Sequence, residues 1–411
     1  MGIFGSSSNH TCNMPSSFTA DAPEPVVGNL SFHQLNMAIS GGCAAFSSLS
    51  IFILMIRHAT HFSRPNEQSK ILKICALIPI YSILSFLSIA FPNSYIYLDP
   101  WIDFFQGIAL GSFFLLLCEF VSPSASSRDV FFAALQIPKS RMSRGGKQPV
   151  DGLEWYRKKW FAVFQYPIIA LGVAIATDIT QAASVYCLES SSIHYSHLWL
   201  EIASNVSISF AIGSVVKFYA ALKKDLKHHK PLAKFLAFKL IIFLTFLQQI
   251  IFLILRSTHA LKETDHLTWA DVNYGIQTML VCIEMVPFAI FFHYAYDVAP
   301  YDLSKARPLP LAQLGGAAGT NSPHDPETGY HRVDQYQMEQ QKLQHDYYNQ
   351  PGGYYGGFLG IQALLTVFNP MEIVRAIQFG FSMRSESRRM NNRYVAGAGA
   401  PPEYQGRVNE Y

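Results

Sequence analysis

The chain has 411 residues, of which 50% are hydrophobic and only 14% charged, and its mean hydropathy is +0.16. Soluble proteins carry charge on about a quarter of their residues, so this composition excludes an ordinary soluble domain and points to lipid. The net charge of +3 gives no basic footprint for nucleic acid, and no nucleic-acid partner is expected.

The first 31 residues are polar and hold no Lys or Arg. Asn9 and Asn29 each open an Asn-x-Ser/Thr sequence, the acceptor for N-glycosylation. The opening Met-Gly-Ile-Phe-Gly-Ser also fits the myristoylation pattern, which would need a cytosolic N-terminus. The charges of the later loops place that terminus outside and outweigh the short motif. No signal peptide is evident, because no basic segment leads into an apolar one.

Seven apolar runs follow, approximately 32–56, 71–91, 104–121, 160–187, 198–222, 235–255 and 272–296. A run of about 18 residues or more crosses a hydrocarbon core of about 30 Å as a helix. Lipid offers the backbone no hydrogen-bond partner, so each run must be helical. Pro79 predicts a kink in the second, with Ser82 and Ser85 placed to take up the carbonyl that it frees. Four cysteines, Cys43, Cys75, Cys118 and Cys282, lie in apolar runs and read as small hydrophobes, although Cys118 is also a candidate for palmitoylation. In the predicted topology only Cys12 and Cys187 lie outside the membrane, which leaves one bridge between them open.

Orientation follows from the loops. Arg57, Arg64, Lys70 and Lys73 follow the first run. Arg128, Lys139, Arg141, Arg144, Lys147, Arg157, Lys158 and Lys159 follow the third, and Lys223, Lys224, Lys227 and Lys230 the fifth. The loops after the second and fourth runs hold neither Lys nor Arg. Because cytosolic loops retain positive charge, the fold expected is an all-α polytopic membrane protein, a bundle of about seven transmembrane helices with its N-terminus outside and its C-terminus cytosolic. Residues 1–31 form an exterior arm and 32–299 the membrane domain. Residues 300–357, rich in Pro, Gly, Gln and Tyr, are expected to be a disordered linker. Over 358–390 an amphipathic helix is expected on the membrane surface, capped by Asn369 with Pro370 in its first turn. Ile373, Val374, Ile377 and Phe381 share one face opposite Glu372, Arg375 and Gln378. A helix packed under the bundle is the alternative. Residues 391–411 complete a disordered tail.

Polar residues within the runs are expensive and usually face the bundle interior. Glu284 lies nearest the centre of its run; Asp178, Gln181, Asn205, Ser209 and Gln248 are the other candidates for a solute path. Hydrogen bonds that merely hold helices together are the alternative. Lys217, Lys234 and Lys239 sit toward helix ends, where their ammonium groups reach water, and Glu119 is expected at the interface. His58, His61, His293 and Asp297 are zinc-ligand types near one face. No His-Glu-x-x-His, phosphate loop, nucleophile elbow or kinase motif accompanies them, so no metal, cofactor or catalytic residue is assigned and no enzyme is expected.

The stretch "RHATHFSRPNEQSKILKICALIPIYSILSFLSI" resembles the opening signature of the organic solute transporter alpha and transmembrane protein 184 family. It places His58, His61, Pro65, Glu67, Gln68, Pro79, Tyr81, Ser85 and Ser88 on family positions. "SNVSISFAIGSVVKFY", "PLAKFLAFKLIIFLTFLQQ" and "CIEM" resemble the family's fifth, sixth and seventh spans. The chain departs from the alpha subunit at Phe105 and Gln106, at Gln165 before Tyr166-Pro167, and in lacking a cysteine cluster beyond Cys118. These differences bring it nearer the transmembrane protein 184 branch. The resemblance implies facilitated movement of amphipathic organic solutes, sterol-like or bile-acid-like, across the plasma membrane or an endomembrane such as the vacuolar one. A single-span beta-type subunit or a second copy of the chain is the protein partner that it implies. In the first loop, Glu67 is expected to accept from Lys70 or Lys73, with Asn66 as helix cap. A seven-span receptor-like or scaffold protein signalling through its cytosolic tail is the alternative function.

Overall fold

The computed structural model describes residues 12, 18, 22, 24–122, 125–137, 150–188, 192–223, 226, 231–258, 260–303 and 353–395. Among these, seven helical segments have the length and hydropathy to cross a membrane: Phe32–Thr60, Pro65–Ala90, Pro92–Val121, Gly152–Ala182, Ser196–Ala221, Ala233–Ser257 and Asp271–Tyr301. They coincide with the seven runs, and most extend past them because the backbone ladder continues through polar first and last turns. The long helices are α1 (Phe32–Thr60), α2 (Pro65–Cys75), α3 (Leu77–Ala90) and α4 (Tyr95–Val121). After the short α5 (Ala125–Ala134) come a two-residue pairing of Gln136–Ile137 with Val150–Asp151, then α6 (Gly152–Ala182), α7 (Ser196–Ala221), α8 (Pro231–Ser257) and α9 (Ile276–Ala295). A capping box of Ser31 and Gln34 starts α1.

Pro79 has no N–H to offer the carbonyl of Cys75, and the second span divides there into α2 and α3. Ala76 stays in the right-handed helical region at φ −60°, ψ −18°, so the break is a kink and not a turn. Ser82 and Ser85 do not repair it. The Ser82 hydroxyl lies 2.8 Å from that of Ser47 on α1, and Ser85 has no hydrogen bond among the described residues.

Two groups of helices result. α1, α3 and α9 pack on one another, while α6 packs on both α4 and α7; α2 and α3 join the groups by packing on α4. α8 packs chiefly on α9. The α4–α6 approach is close because Gly107-Ile-Ala-Leu-Gly111 places small residues four apart. A Cβ on Gly107 would stand 3.0 Å from the Cα of Pro167, and one on Gly111 would stand 3.1 Å from the Phe164 ring. Gly107→Val should therefore destabilise the bundle by about 1–3 kcal/mol. Thermal unfolding in detergent reads this, and an unchanged midpoint would show that the approach has slack.

At one end of the bundle the N-terminal arm touches three loops. Cys12 is disulfide-bonded to Cys187 after α6. Phe18 donates its N–H to Asn93 Oδ1 at 2.8 Å and stacks on Trp269 with ring centroids 4.9 Å apart. Glu24 N–H donates to the Asp265 carbonyl at 2.9 Å. Asn29 lies in an exposed turn at this end; Asn9 lies outside the described residues.

The opposite end carries the basic loops and the C-terminal segment. Tyr355 N–H donates to the Phe62 carbonyl at 2.8 Å, and Gly360, at φ +79°, runs so close to Ala59 that a Cβ would come within 2.7 Å of that residue's own. The helices α10 (Ile361–Leu365) and α11 (Met371–Val395) follow, with Asn369 Oδ1 accepting from Met371 N–H at 3.0 Å. On α11, Ile373, Ala376 and Met383 are buried, while Val374 and Phe381 face outward. Trp160 Nε1 donates to the Ala376 carbonyl at 2.8 Å. The helix is thus packed beneath the bundle on one side and leaves an apolar outer side that includes Phe368 and Met371. It continues past residue 390 to Val395; most of 300–357 and all of 396–411 lie outside the described residues.

Candidate functional site

Three clusters of polar residues stand out in the bundle. The first is built from the sequence signature at the basic end. Gln68, fully buried, accepts from the N–H groups of Ser63 and Arg64 at 2.8 and 2.9 Å and donates to the carbonyls of His61 and His58 at 2.9 and 3.3 Å. One side chain thereby satisfies four backbone groups where α1 ends and α2 begins, with Pro65 as the first residue of α2. His58, also fully buried, has Nε2 2.9 Å from the Tyr296 carbonyl. Only an N–H can pair with that oxygen, so the proton sits on Nε2, and Nδ1 faces Gln68 Nε2 at 3.4 Å. His61 is exposed and turns back to the Arg57 carbonyl at 3.0 Å.

Glu67 accepts from Tyr301 Oη at 2.9 Å and lies 3.5 Å from Arg64, not beside Lys70 or Lys73 as the sequence suggested. Asn66 is not the cap either, since Arg64 occupies the N-cap position and Gln68 takes the N–H groups there. His293 pairs with Ser50 and Asp297 with the Ala299 N–H. Among the described residues no three His, Cys, Asp or Glu side chains gather as metal ligands would.

The second cluster is ionic. Lys70 lies 2.6 Å and Lys73 2.8 Å from the carboxylate of Glu372 on α11. Lys70 also reaches Glu119 at 3.4 Å, and Arg128 reaches Glu119 at 3.0 Å. Burial alone would raise the Glu372 carboxyl, but the two lysines outweigh it and hold the group below its usual range. Beside these charges a cavity of about 380 Å³ opens between the tail and the bundle, bordered by Asn66, Arg128, Trp160 and Arg375.

The third cluster lines a larger cavity, about 450 Å³, between the two helix groups. α3 gives Tyr81, Ser85 and Ser88; α4 gives Tyr95, Asp99, Asp103 and Gln106; α7 gives Ser204, Asn205 and Ser209; α8 gives Thr245 and Gln249. Leu110, Ile212, Val215, Phe235 and Ile242 make the wall toward the basic end. Ser204 Oγ donates to Asp103 Oδ2 at 3.0 Å, and Gln106 is hydrogen-bonded to Tyr81 and, at 3.2 Å, to Tyr166. α7 and α8 do not pack closely on one another, and Ser209 and Phe243, one from each, are exposed at the gap between them. The volume falls within the range of about 300–1,000 Å³ usual for small-molecule sites.

Of the residues expected on a solute path, Asn205 and Ser209 line this cavity, whereas Asp178, Gln181, Gln248 and Glu284 do not. Gln248 donates to the Glu284 carboxylate and so ties α8 to α9. Asp178 accepts from Trp101 Nε1 at 3.2 Å, away from the lining. Asp99, Asp103 and Gln106, which do line it, stand at i, i+4 and i+7 on one face of α4. That spacing is visible in the sequence once α4 is started at Tyr95 and not at Phe104.

The sequence matches the model of a family described as organic solute transporter Ostalpha over residues 36–301. It is 28% identical over 289 residues to a transmembrane protein 184 homolog of Dictyostelium discoideum, an alignment covering 67% of this chain and 55% of that one. Protein LAZ1 of Arabidopsis thaliana is 28% identical over 302 residues, with 68% and 61% covered. Protein LAZ1 homolog 1 of the same plant is 26% identical over 291 residues, with 67% and 60% covered. The chain thus spans less than two thirds of the length of these relatives. No solved structure matches it.

Proposed function

Since this chain belongs to the organic solute transporter Ostalpha family and is an integral membrane protein, we propose that it moves an amphipathic organic solute of sterol-like bulk through the cavity between its two helix groups. The observation that carries the reading is the cavity's gradient. Its described lining is polar toward the arm end and apolar toward the basic end, the pattern an amphipathic molecule matches lengthwise. The gap between α7 and α8 gives such a molecule a sideways route from the bilayer.

In this reading the basic end faces the cytosol, since Arg57, Arg64, Lys70 and Lys73 sit there. The arm end faces outside or a lumen, and the Cys12–Cys187 bridge suits that oxidising side. Glu284 and Gln248 act by holding α8 against α9, one wall of the route.

The test is uptake of a labelled sterol by the purified full chain in liposomes. Ile212→Trp, which fills the cavity, should cut the initial rate about ten-fold, equivalent to about 1.4 kcal/mol, while the protein still elutes as a single folded species. Glu284→Gln should lower it less, because an amide still pairs with Gln248. Uptake no faster than in protein-free liposomes would overturn the proposal.

A further inference from the structure

We propose that the solute carries a cationic nitrogen, seated against Asp99 and Asp103 with its apolar body directed toward Leu110 and Phe235. This rests on the transport reading above and narrows its substrate class. Of the two classes that the family resemblance implies, a bile acid bears an anion, and the lining does not fit one.

Asp99 and Asp103 enter the cavity from the same face of α4, about 6 and 12 Å along the helix from its start at Tyr95. Two carboxylates at this spacing repel each other unless something neutralises them. The described protein offers little. Asp103 accepts a hydrogen bond from the neutral Ser204 hydroxyl, and Asp99 is exposed to the cavity with no hydrogen bond or ion pair. Among the described side chains no Lys, Arg or His lines the cavity. Arg256, a guanidinium at the same end, donates to the Asn273 carbonyl and is not part of the lining.

An independent observation also points to a ligand. Ser85, only 3% exposed, lines the same cavity with its hydroxyl unpartnered among the described residues. The side chain is otherwise buried, so a polar group of a guest in the cavity can pair with that hydroxyl. Both acids lie within the third span, where an acid usually serves a function, and the partner that such a pair selects is a cation. A carboxylate or sulfonate placed there would meet like charge, which is an effective device for rejecting the wrong solute.

The experiment uses three probes on one steroid ring system, ending in a trimethylammonium, a hydroxyl or a carboxylate. Uptake by the full chain in liposomes is measured beside equilibrium binding in detergent. The trimethylammonium probe should bind at least about ten-fold tighter than the carboxylate and be taken up in preference to it. Asp99→Asn and Asp103→Asn should each lower the ratio of trimethylammonium to hydroxyl binding about ten-fold. Asp99→Asn removes no hydrogen bond to the described protein, so it decides the matter if Asp103→Asn fails to fold.

Equal or better binding of the carboxylate, or a ratio unmoved in the variants, would overturn the assignment. If the hydroxyl and carboxylate probes cross without any preference for the cation, the inference fails and the transport reading stands. If the cation binds selectively but no probe crosses, the site stands and transport fails.

Discussion

Gln68→Leu lowers the unfolding free energy by about 3 kcal/mol or more, the largest loss expected from any single change in the signature stretch. Leucine fills nearly the same space, so packing is not the cause. The cause is the backbone at one place. The N–H of Arg64 and the carbonyl of His58 lose the amide, and the Ser63 N–H and His61 carbonyl keep only their 3.0 Å bond to each other; a buried polar group left unsatisfied costs about 1–3 kcal/mol. Gln68→Glu keeps the two acceptor bonds, loses the two donor bonds and sets a second carboxylate next to buried Glu67. It should be no milder. His61→Ala, at an exposed side chain of the same stretch, should stay within about 0.5 kcal/mol. Thermal profiles of detergent-solubilised protein compare all three, and a wild-type midpoint for Gln68→Leu would refute the role given to this amide.

Glu372→Ala detaches α11 from the bundle. The carboxylate is the recorded ionic partner of Lys73 and one of two for Lys70, and both ammonium groups are buried. Removing one member of such a pair leaves a buried charge uncompensated, at about 3–5 kcal/mol. Amide hydrogen exchange over residues 371–380 should therefore quicken about 100-fold or more. Exchanging the charges, with Lys73→Glu and Glu372→Lys together, should restore part of the protection. Acidity should act in the same direction. Because the folded carboxyl titrates below the usual 4.5, the contact is at full strength above that pH. It weakens as the pH falls below it and is lost once the depressed folded value is passed. Protection of α11 that is indifferent both to Glu372→Ala and to acid would show that Trp160 and Ile373 hold the helix unaided.

How much of this was legible beforehand depended on which physical quantity the sequence displays. The seven spans could be read directly, because lipid forces every long apolar run into a helix and leaves nothing for tertiary context to decide. Pro79 was equally plain as a kink, since the missing N–H is a property of the residue itself. Partners were not legible. Glu67 was expected beside Lys70 and Lys73 by nearness along the chain, yet it pairs with Tyr301, which is brought in by the end of the last span. Both lysines turn to Glu372, some three hundred residues onward.

The cavity was half visible. Asn205 and Ser209 were picked out because they interrupt an apolar run, whereas Asp99 and Asp103 looked like loop residues ahead of a run starting at Phe104. Their helix begins at Tyr95. Hydropathy marks where a membrane helix is greasy and says little about where its backbone starts, and that polar margin holds the two acids. Asp178 and Gln181 lie outside the cavity for a related reason: depth in the membrane can be estimated from position in a run, but the face presented to a neighbour cannot.

The N-terminal arm gives the two rims of the bundle unequal freedom. By bridging to Cys187, bonding to Asn93 and Asp265 and stacking on Trp269, it laces three separate crossings into one hoop. Under the proposed function, a bundle hooped at one mouth cannot admit cargo there by spreading its staves. Reducing agent, by cutting the lace at Cys12, would be the simplest way to let that mouth gape.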